Sequence, residues 1–419
     1  MPETIDTNMG TSQVFMYMDE WPHATGSGHH LRFHSNTAAW VDLGWDVTVV
    51  RVTEKPTPPP DWPGVRMEQV VSDGPSATLA GKLQYRLGWV GQAGCAFYFG
   101  KHRAMLEAVK ERQRRAPRAL HQLEDYTLGN VTPFLPGLNA VFSHHDLAAE
   151  AFGAVSRISA DLDRRGPTPA ETREIRFVAA AEERICRASR LILCISDHDR
   201  QVLQERFGLR HAVYFPMSVT PEQPVVRTAG DGQTLRIAHV GRVSHLPTYR
   251  SLEQILGEVF PRLQPETLDH LQLRVAGKLD EGHPRCQRIL ALAEPFRKQV
   301  VFTGFVDDLG AEYARADLQV VASTEASGLR TRIVESMAWG IPVLSTTVAA
   351  RGIAGLDPGR NILLADKPEE FAAELDRLAK ARNRLLAISA GGIELYRTRN
   401  SRRAVAAQLE KLLADFYSL

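Results

Sequence analysis

Cysteine is scarce. The 419-residue chain holds only Cys95, Cys186, Cys194 and Cys286, with no CxxC pair and no zinc-like ligand spacing, which excludes a disulfide framework and a structural metal as the basis of the fold. A surplus of one charge is missing too. The 50 Lys+Arg and 49 Asp+Glu leave +1, so there is no whole-chain field to draw in a nucleic acid, and no nucleic-acid partner is expected. No window approaches the roughly 18 uninterrupted apolar residues of a membrane span. The opening MPETIDTNMGTSQ is polar and lacks an apolar leader core. A cytoplasmic protein is expected, with peripheral contact to the inner face of a membrane as the one membrane association left open. Short tandem repeats and low-complexity tracts are also lacking. The 44% hydrophobic and 24% charged content excludes general disorder, and the length fits two domains.

The first strong pattern is QVFMYMD (13–19), a loop ending in Gly26-Ser27-Gly28, a helix to Leu43 stopped by Gly44, and the β-branched run DVTVV (46–50). This β-loop-α-β opening predicts parallel strands joined by crossovers, with ligands beyond the strand carboxyl ends. KPTPPPDWP (55–63) is too rich in proline for a helix or central strand and reads as an extended connector. A domain boundary is placed at the polar, turn-rich 219–233, because a complete new series follows: LRIAHVG, a helix around 248–263, LQLRVAG, a helix, VVFTGFV, a short helix, LQVVAS, a helix from 331, and IPVLST. The expected division is 1–218, 219–395 and a charged helical end over 396–419, making an α/β protein of two doubly wound, Rossmann-like domains.

STEASGLRTRIVESMAWGIPVLST (323–346) carries the densest chemical signal. A strand runs into a small-residue loop, and Arg330 and Arg332 fall at the opening of the next helix. A helix N-terminus is already electropositive, so arginines there imply an anion nearby or side chains turned to water. Glu335 lies one turn after Arg332, either as its exposed i,i+3 partner or as a hydroxyl acceptor. Arg242 follows the first strand of the same domain, where a doubly wound sheet binds its ligand, so two arginines from different loops converge on an anion such as a pyrophosphate.

Together VGRVSHLPTYRSLEQILGEVFPRL, LQLRVAGK, VVFTGFVDDLGAEYARADLQVVAS and GLRTRIVESMAWGIPVLSTTVAARGI resemble the family-4 retaining glycosyltransferases of the GT-B fold, also called glycosyl transferases group 1. The match lies mainly in 235–370. The resemblance implies two Rossmann-like domains facing across a cleft, the acceptor on the first and a nucleotide diphosphate sugar on the second, with the last helix packing back on the first domain. Gly328, Arg332, Glu335, Met337 and Ala338 match the family's donor-binding run, with Ser336 in place of the usual alanine. By position, Arg242 and Arg332 would hold the diphosphate, Glu335 the ribose, and the backbone around Val306 the base. Gly28, Gly241, Ser327, Gly328 and Leu329 would line the donor. Two departures stand out. Glu325 lies ten positions before Glu335, too far to take the family's sugar-contacting role, and a lysine often found after the glycine-arginine pair is missing from GRVSHLPTYR.

In the first domain the resemblance places Gly26 and Ser27 beside the acceptor, whereas a dinucleotide fingerprint is disfavoured because its third glycine would fall at Leu31. ALHQLEDYTLG (119–129) resembles the segment that carries an active-site histidine and acid, which suggests His121 and Glu124, with a structural role for His121 as the alternative. In VFSHHDLAAE (141–150) a strand ends and a helix begins, so His144 or His145 can face an acceptor while Asp146 caps the helix. His30 and His34 have i,i+4 spacing but no HExxH context. Of the Asp-x-Asp runs, Asp161–Asp163 and Asp197–Asp199, the second reads as a strand end with Ser196 or Asp197 as helix cap. No metal and no cofactor beyond the nucleotide sugar is expected. LQYRLGWVGQAGCAFYFG (83–100) and the basic stretch after it read as a partly buried and a solvated helix, with an anionic acceptor or a membrane surface as the alternative. The expected activity is metal-independent, retaining transfer of a sugar to a hydroxyl acceptor. The rivals are an epimerase or hydrolase of the same fold, and a non-catalytic nucleotide-sugar-binding subunit.

Overall fold

A computed structural model of the chain describes residues 12–72, 100–162, 165–219, 234–324 and 328–417. Cys95, the aromatic segment 83–99, Asp163, the connector 220–233, Glu325 and Ser327 lie outside the described residues. The chain divides into two compact units. One runs to Ser218 and resumes at Arg402, and the other is Val219–Ser401.

Among the described residues of the first unit every strand pair is parallel, in the order β3-β2-β1-β4-β5-β6-β7, built from β1 (Gln13–Met18), β2 (Asp46–Thr53), β3 (Val65–Val71), β4 (Leu120–Glu124), β5 (Ala140–His144), β6 (Leu191–Cys194) and β7 (Ala212–Tyr214). Side chains alternate across the sheet as the pleat requires. Val14, Met16 and Met18 pack with Phe33 and Trp40 of the helix Gly28–Asp42, while Phe15 and Tyr17 pack with Met105 and Val109 of the helix Gly100–Arg115. Burying each such side chain contributes about 1.5–3 kcal/mol, so both faces hold the sheet. Val405, Leu409, Leu412 and Leu413 of the last helix, Arg402–Tyr417, join the Phe33 and Trp40 cluster, and Arg402 donates twice to Asp42 at 2.7 and 2.6 Å.

The second unit repeats the plan with the parallel order β10-β9-β8-β11-β12-β13, from β8 (Leu235–Val240), β9 (Leu271–Ala276), β10 (Val300–Gly304), β11 (Leu318–Val321), β12 (Val343–Ser345) and β13 (Leu363–Leu364). The predicted helix over 248–263 is a composite: α-helix Leu246–Gln254, one π turn Ile255–Val259 and a 3-10 turn Phe260–Arg262. Pro261, which has no N–H to donate, sits in that tightened end. In each sheet the chain first builds outward and then returns to the other side of its first strand. The reversal falls between β1 and β4 and between β8 and β11, the position beyond whose carboxyl ends doubly wound sheets bind ligands. Among the described residues no helix is long and apolar enough to cross a membrane.

Candidate functional site

In the second unit the reversal point is lined by loop 241–245 after β8 and by the helix Thr331–Ala338 after β11. Backbones crowd at this edge. Gly241 has φ +139°, and a Cβ there would lie 2.6 Å from Thr248 Oγ1 and 2.9 Å from Arg332 Nη2. A Cβ on Gly277, at the end of β9, would lie 2.1 Å from the carbonyl oxygen of Gly241. Only glycine permits these approaches. Ser251, one helix turn beyond Thr248, accepts the amide of Ala322 at 2.8 Å and bonds His239 Nε2 at 2.9 Å, tying the ends of β8 and β11 together.

Arg332 is half-buried and donates from Nη2 to Thr248 Oγ1 at 2.9 Å. Its Nη1 is buried and has no hydrogen-bond partner among the described residues. A buried guanidinium N–H without a partner is costly, so the arrangement suits an incoming anion. Glu335, also half-buried, is pushed up to about 7 by desolvation, with Arg332 pulling the other way. Ser336, in the family's alanine position, is satisfied within the helix by donating to Arg332 O at 2.7 Å. Arg242 is exposed, Gly328 and Leu329 are half-buried on the approach to the helix, and Val306 is half-buried just past β10, beside the 76% exposed Phe305.

In the first unit Glu124 ends β4 at the reversal point and is fully buried. Its Oε1 accepts from Asn36 Nδ2 at 2.7 Å and Gln122 Nε2 at 2.5 Å, and its Oε2 bonds His145 Nε2 at 3.0 Å. Desolvation opposes its ionisation, but His145, Arg32 and Asn36 together hold the carboxyl below its ordinary range. The same face of the helix Gly28–Asp42 supplies Arg32, Asn36 and Trp40, spaced one turn apart, all buried. Arg32 donates to Phe215 O and Pro216 O at 3.0 and 3.3 Å, and burial pushes it down to about 10. Asp125, next after Glu124, has φ +69°, a strained value for a non-glycine residue and one that concentrates at functional sites.

The sheet separates the predicted histidines. His121 points to the other face from Glu124, 1% exposed, with Nδ1 3.0 Å from Tyr17 OH and its ring against Phe15 and Tyr17. Desolvation, with Arg112, pushes it down to about 4. His144 is buried against Glu182 at 3.0 Å, and Glu182 also accepts the amide of Ala148 at 2.8 Å. His145 alone of the three meets Glu124, and its ring lies 5.3 Å from that of His29. At the start of the first helix Gly26 approaches His30 closely, and Ser27 and His30 cap each other, Ser27 N donating to His30 Nδ1 at 3.2 Å and His30 N to Ser27 Oγ at 3.4 Å, with Gly28 next. His30 is spoken for by Glu20 at 2.8 Å, and His34 stacks on Trp62. Ser196 caps its helix by accepting Asp199 N at 3.2 Å. No three His, Cys, Asp or Glu side chains among the described residues are grouped to hold a metal ion.

Asn36, Arg32 and Thr248 take part in these arrangements without any signal in the sequence, since each works through contacts with residues far along the chain.

Residues 234–381 match the family model described as Glycosyl transferases group 1. No curated protein matches the chain in sequence. Similar solved structures include sucrose-phosphate synthase from Thermosynechococcus elongatus, at 17% identity over 97% of this chain and 99% of that one with a TM-score of 0.71. Anabaena Alr3699/HepE in complex with UDP and glucose is 13% identical over 96% and 100%, TM-score 0.65. WaaG, a glycosyltransferase involved in lipopolysaccharide biosynthesis, is 15% identical over 94% and 98%, TM-score 0.63. At these identities the likeness is one of fold: two parallel-sheet, Rossmann-like domains of the GT-B type.

Proposed function

We propose that this chain, a GT-B glycosyltransferase by fold and by the group 1 match of residues 234–381, moves a sugar from a nucleoside diphosphate to a hydroxyl acceptor with retention of anomeric configuration. The observation that carries the reading is the meeting of Arg332, with its buried unpartnered Nη1, and Glu335 at the carboxyl edge of the second sheet, on the loop and helix that carry the family motif. Arg242 and Arg332 hold the diphosphate, Glu335 accepts ribose hydroxyls, and the backbone around Val306 meets the base. Gly241, Gly328 and Leu329 allow the donor's phosphates and sugar close to the main chain. Complexes of HepE with UDP and with UDP-glucose support a uridine nucleotide as the first donor to try.

As the sugar–phosphate bond breaks, negative charge grows on the leaving diphosphate, and the two guanidinium groups stabilise it more than the ground state. The acceptor hydroxyl passes its proton to a phosphate oxygen of that leaving group, so no protein base is needed for the transfer, and no metal enters the scheme. On the acceptor side we place Gly26, Ser27 and His145, whose ring lies 5.3 Å from that of His29, while His144 is held in the core by Glu182. Glu124 is a positioning residue: both its oxygens are occupied, so it acts by fixing the orientation and hydrogen-bond character of His145. His121, bonded to Tyr17 within the core, serves the packing of the first sheet.

The test is an assay of nucleoside diphosphate release from UDP-, GDP-, ADP- and dTDP-sugars, with and without hydroxyl acceptors, in the presence of EDTA. Acceptor-dependent release that survives EDTA, with the donor's anomeric configuration kept in the product, is expected. Release that never depends on an acceptor would make the protein an epimerase or hydrolase, and binding without turnover would make it a non-catalytic subunit.

A further inference from the structure

Arginines in the second unit are generally matched to acids. Arg236 pairs with Asp317 at 2.8 Å, Arg250 with Glu253 at 2.8 Å, Arg274 with Glu312 at 2.9 Å and Arg288 with Glu253 at 3.8 Å. Arg242, Arg285 and Arg332 are exceptions, for none of them forms an ion pair with a described carboxylate. The contrast holds within one helix. On Pro284–Ala293, Arg288 reaches Glu253, while Arg285, one turn earlier, turns to loop 241–245 and donates from Nη1 to Ser244 O at 2.9 Å. That bond draws a half-buried cation to the loop that carries Arg242, toward the edge where Arg332 keeps an unpartnered Nη1. The acids that precede it, Asp280 and Glu281, are exposed, and Asp280 Oδ1 accepts Gly282 N at 3.2 Å.

Like charges brought together raise the energy of the folded chain unless an anion joins them. The field of the group is felt at His245, the N-cap residue of the helix Leu246–Gln254, whose side chain makes no cap bond. Desolvation first, then Arg332, Arg330, Arg242 and Arg285, push its imidazole down to about 4. Its ring is therefore neutral where the arginines around it are charged.

We propose that Arg285 is a further ligand of the donor diphosphate, reaching it from the first turn of the helix that follows β9 and supplying the cation that GRVSHLPTYR lacks after its glycine-arginine pair. The inference rests on the donor-site reading above and adds a third strand end to it. Arg242 comes from β8, Arg332 from β11 and Arg285 from β9, the neighbour of β8 on its other side. Three guanidinium groups approaching from three directions can bond both phosphates at once, which two cannot do with the same geometric control.

The full chain is titrated by calorimetry with UDP, GDP, ADP and dTDP, and the tightest of these and its nucleoside are then titrated into Arg285→Ala and Arg285→Lys, with thermal melting to check that each variant is folded. The diphosphate is expected to bind Arg285→Ala about tenfold or more weakly, from the loss of a charge-assisted bond, with nucleoside binding unchanged and most of the loss recovered in Arg285→Lys. Unchanged diphosphate binding, or an equal loss for diphosphate and nucleoside, would assign Arg285 only to holding the Ser244 loop and would overturn the proposal. A wild-type protein that binds none of the four diphosphates overturns the donor-site reading itself, and this inference with it.

Discussion

Replacing Glu124 with glutamine changes one oxygen to an amide nitrogen, yet it reaches several parts of the first unit. The wild-type carboxylate accepts from Asn36, Gln122 and His145, and its charge favours the buried cation of Arg32. A glutamine has one acceptor oxygen to offer. If it keeps Asn36 and Gln122, its NH2 faces His145 Nε2, which must then accept instead of donate, so the opposite ring nitrogen, Nδ1, becomes the N–H. Loss of one charge-assisted bond is worth about 1.5–3 kcal/mol, and stripping a buried cation of its partner adds to it, so about 2–4 kcal/mol of stability should go. For a unit of this size that is a melting point lower by roughly 5–15 °C. The gap between wild type and Glu124→Gln should be constant from pH 6 to 8. Because the folded carboxyl sits below its ordinary 4.5, its contribution is present above that value and is lost only as pH falls through the lower folded value, where the gap closes. Turnover should drop about tenfold or more, because His145 then offers the acceptor an altered hydrogen-bonding ring. Differential scanning calorimetry and initial rates across this pH range are the assays. A variant that melts within about 2 °C of wild type and keeps its rate within about threefold would refute the positioning role, since both consequences come from the same three bonds.

Gly277→Ala should cost about 2–4 kcal/mol in urea unfolding and weaken nucleotide binding with it, because its Cβ would meet backbone at Gly241, 2.1 Å from the carbonyl oxygen, not a side chain able to move aside. Glu335→Gln should stabilise the folded chain increasingly as pH rises. The wild-type carboxyl is raised to about 7 when folded against 4.5 ordinarily, so its relative contribution is intact below 4.5 and lost on the way to 7, and the variant's advantage should reach about 1–3 kcal/mol and level off above that, as read by melting from pH 4 to 9. His121→Phe should lower stability by about 1–2 kcal/mol through the lost Tyr17 bond while leaving the rate within about threefold. A rate collapse in a well-folded His121→Phe would return that residue to the reacting groups.

The sequence made the alternating strands and helices of both units readable wherever apolar residues run together, as in DVTVV and LQVVAS, and Gly44 marked the end of the first helix. It was mute at β4. LHQLE sets three polar residues, two of them adjacent, in a strand whose five side chains are all buried, because Tyr17, Trp40, Asn36 and His145 satisfy His121, Gln122 and Glu124 from elsewhere. No local pattern reports a partner supplied by another element. β13 is two residues long, too short for any periodicity to mark it. Arg242, Arg332 and Glu335 stood out because a motif and a strand end framed them, whereas Arg285 looks like any arginine in a solvated first turn until its bond to Ser244 is seen. The pairing of Glu124 with His145 depends on register. β4 and β5 lie side by side with Glu124 opposite Ser143, which brings the residue two places further on over the carboxylate.

The central claim is that the basic edge of the second unit binds a nucleoside diphosphate through Arg332. The most direct measurement is a thermal-shift titration of wild type and Arg332→Ala with UDP, GDP, ADP and dTDP and their common sugars, without metal and then with magnesium. At a hundred times the dissociation constant a ligand stabilises the native state by about 2.7 kcal/mol, a shift of several degrees. A shift with one nucleotide, present without metal and abolished in a folded Arg332→Ala, is the predicted result. No shift with any of the four in the folded wild-type protein, or an equal shift in the variant, would contradict it.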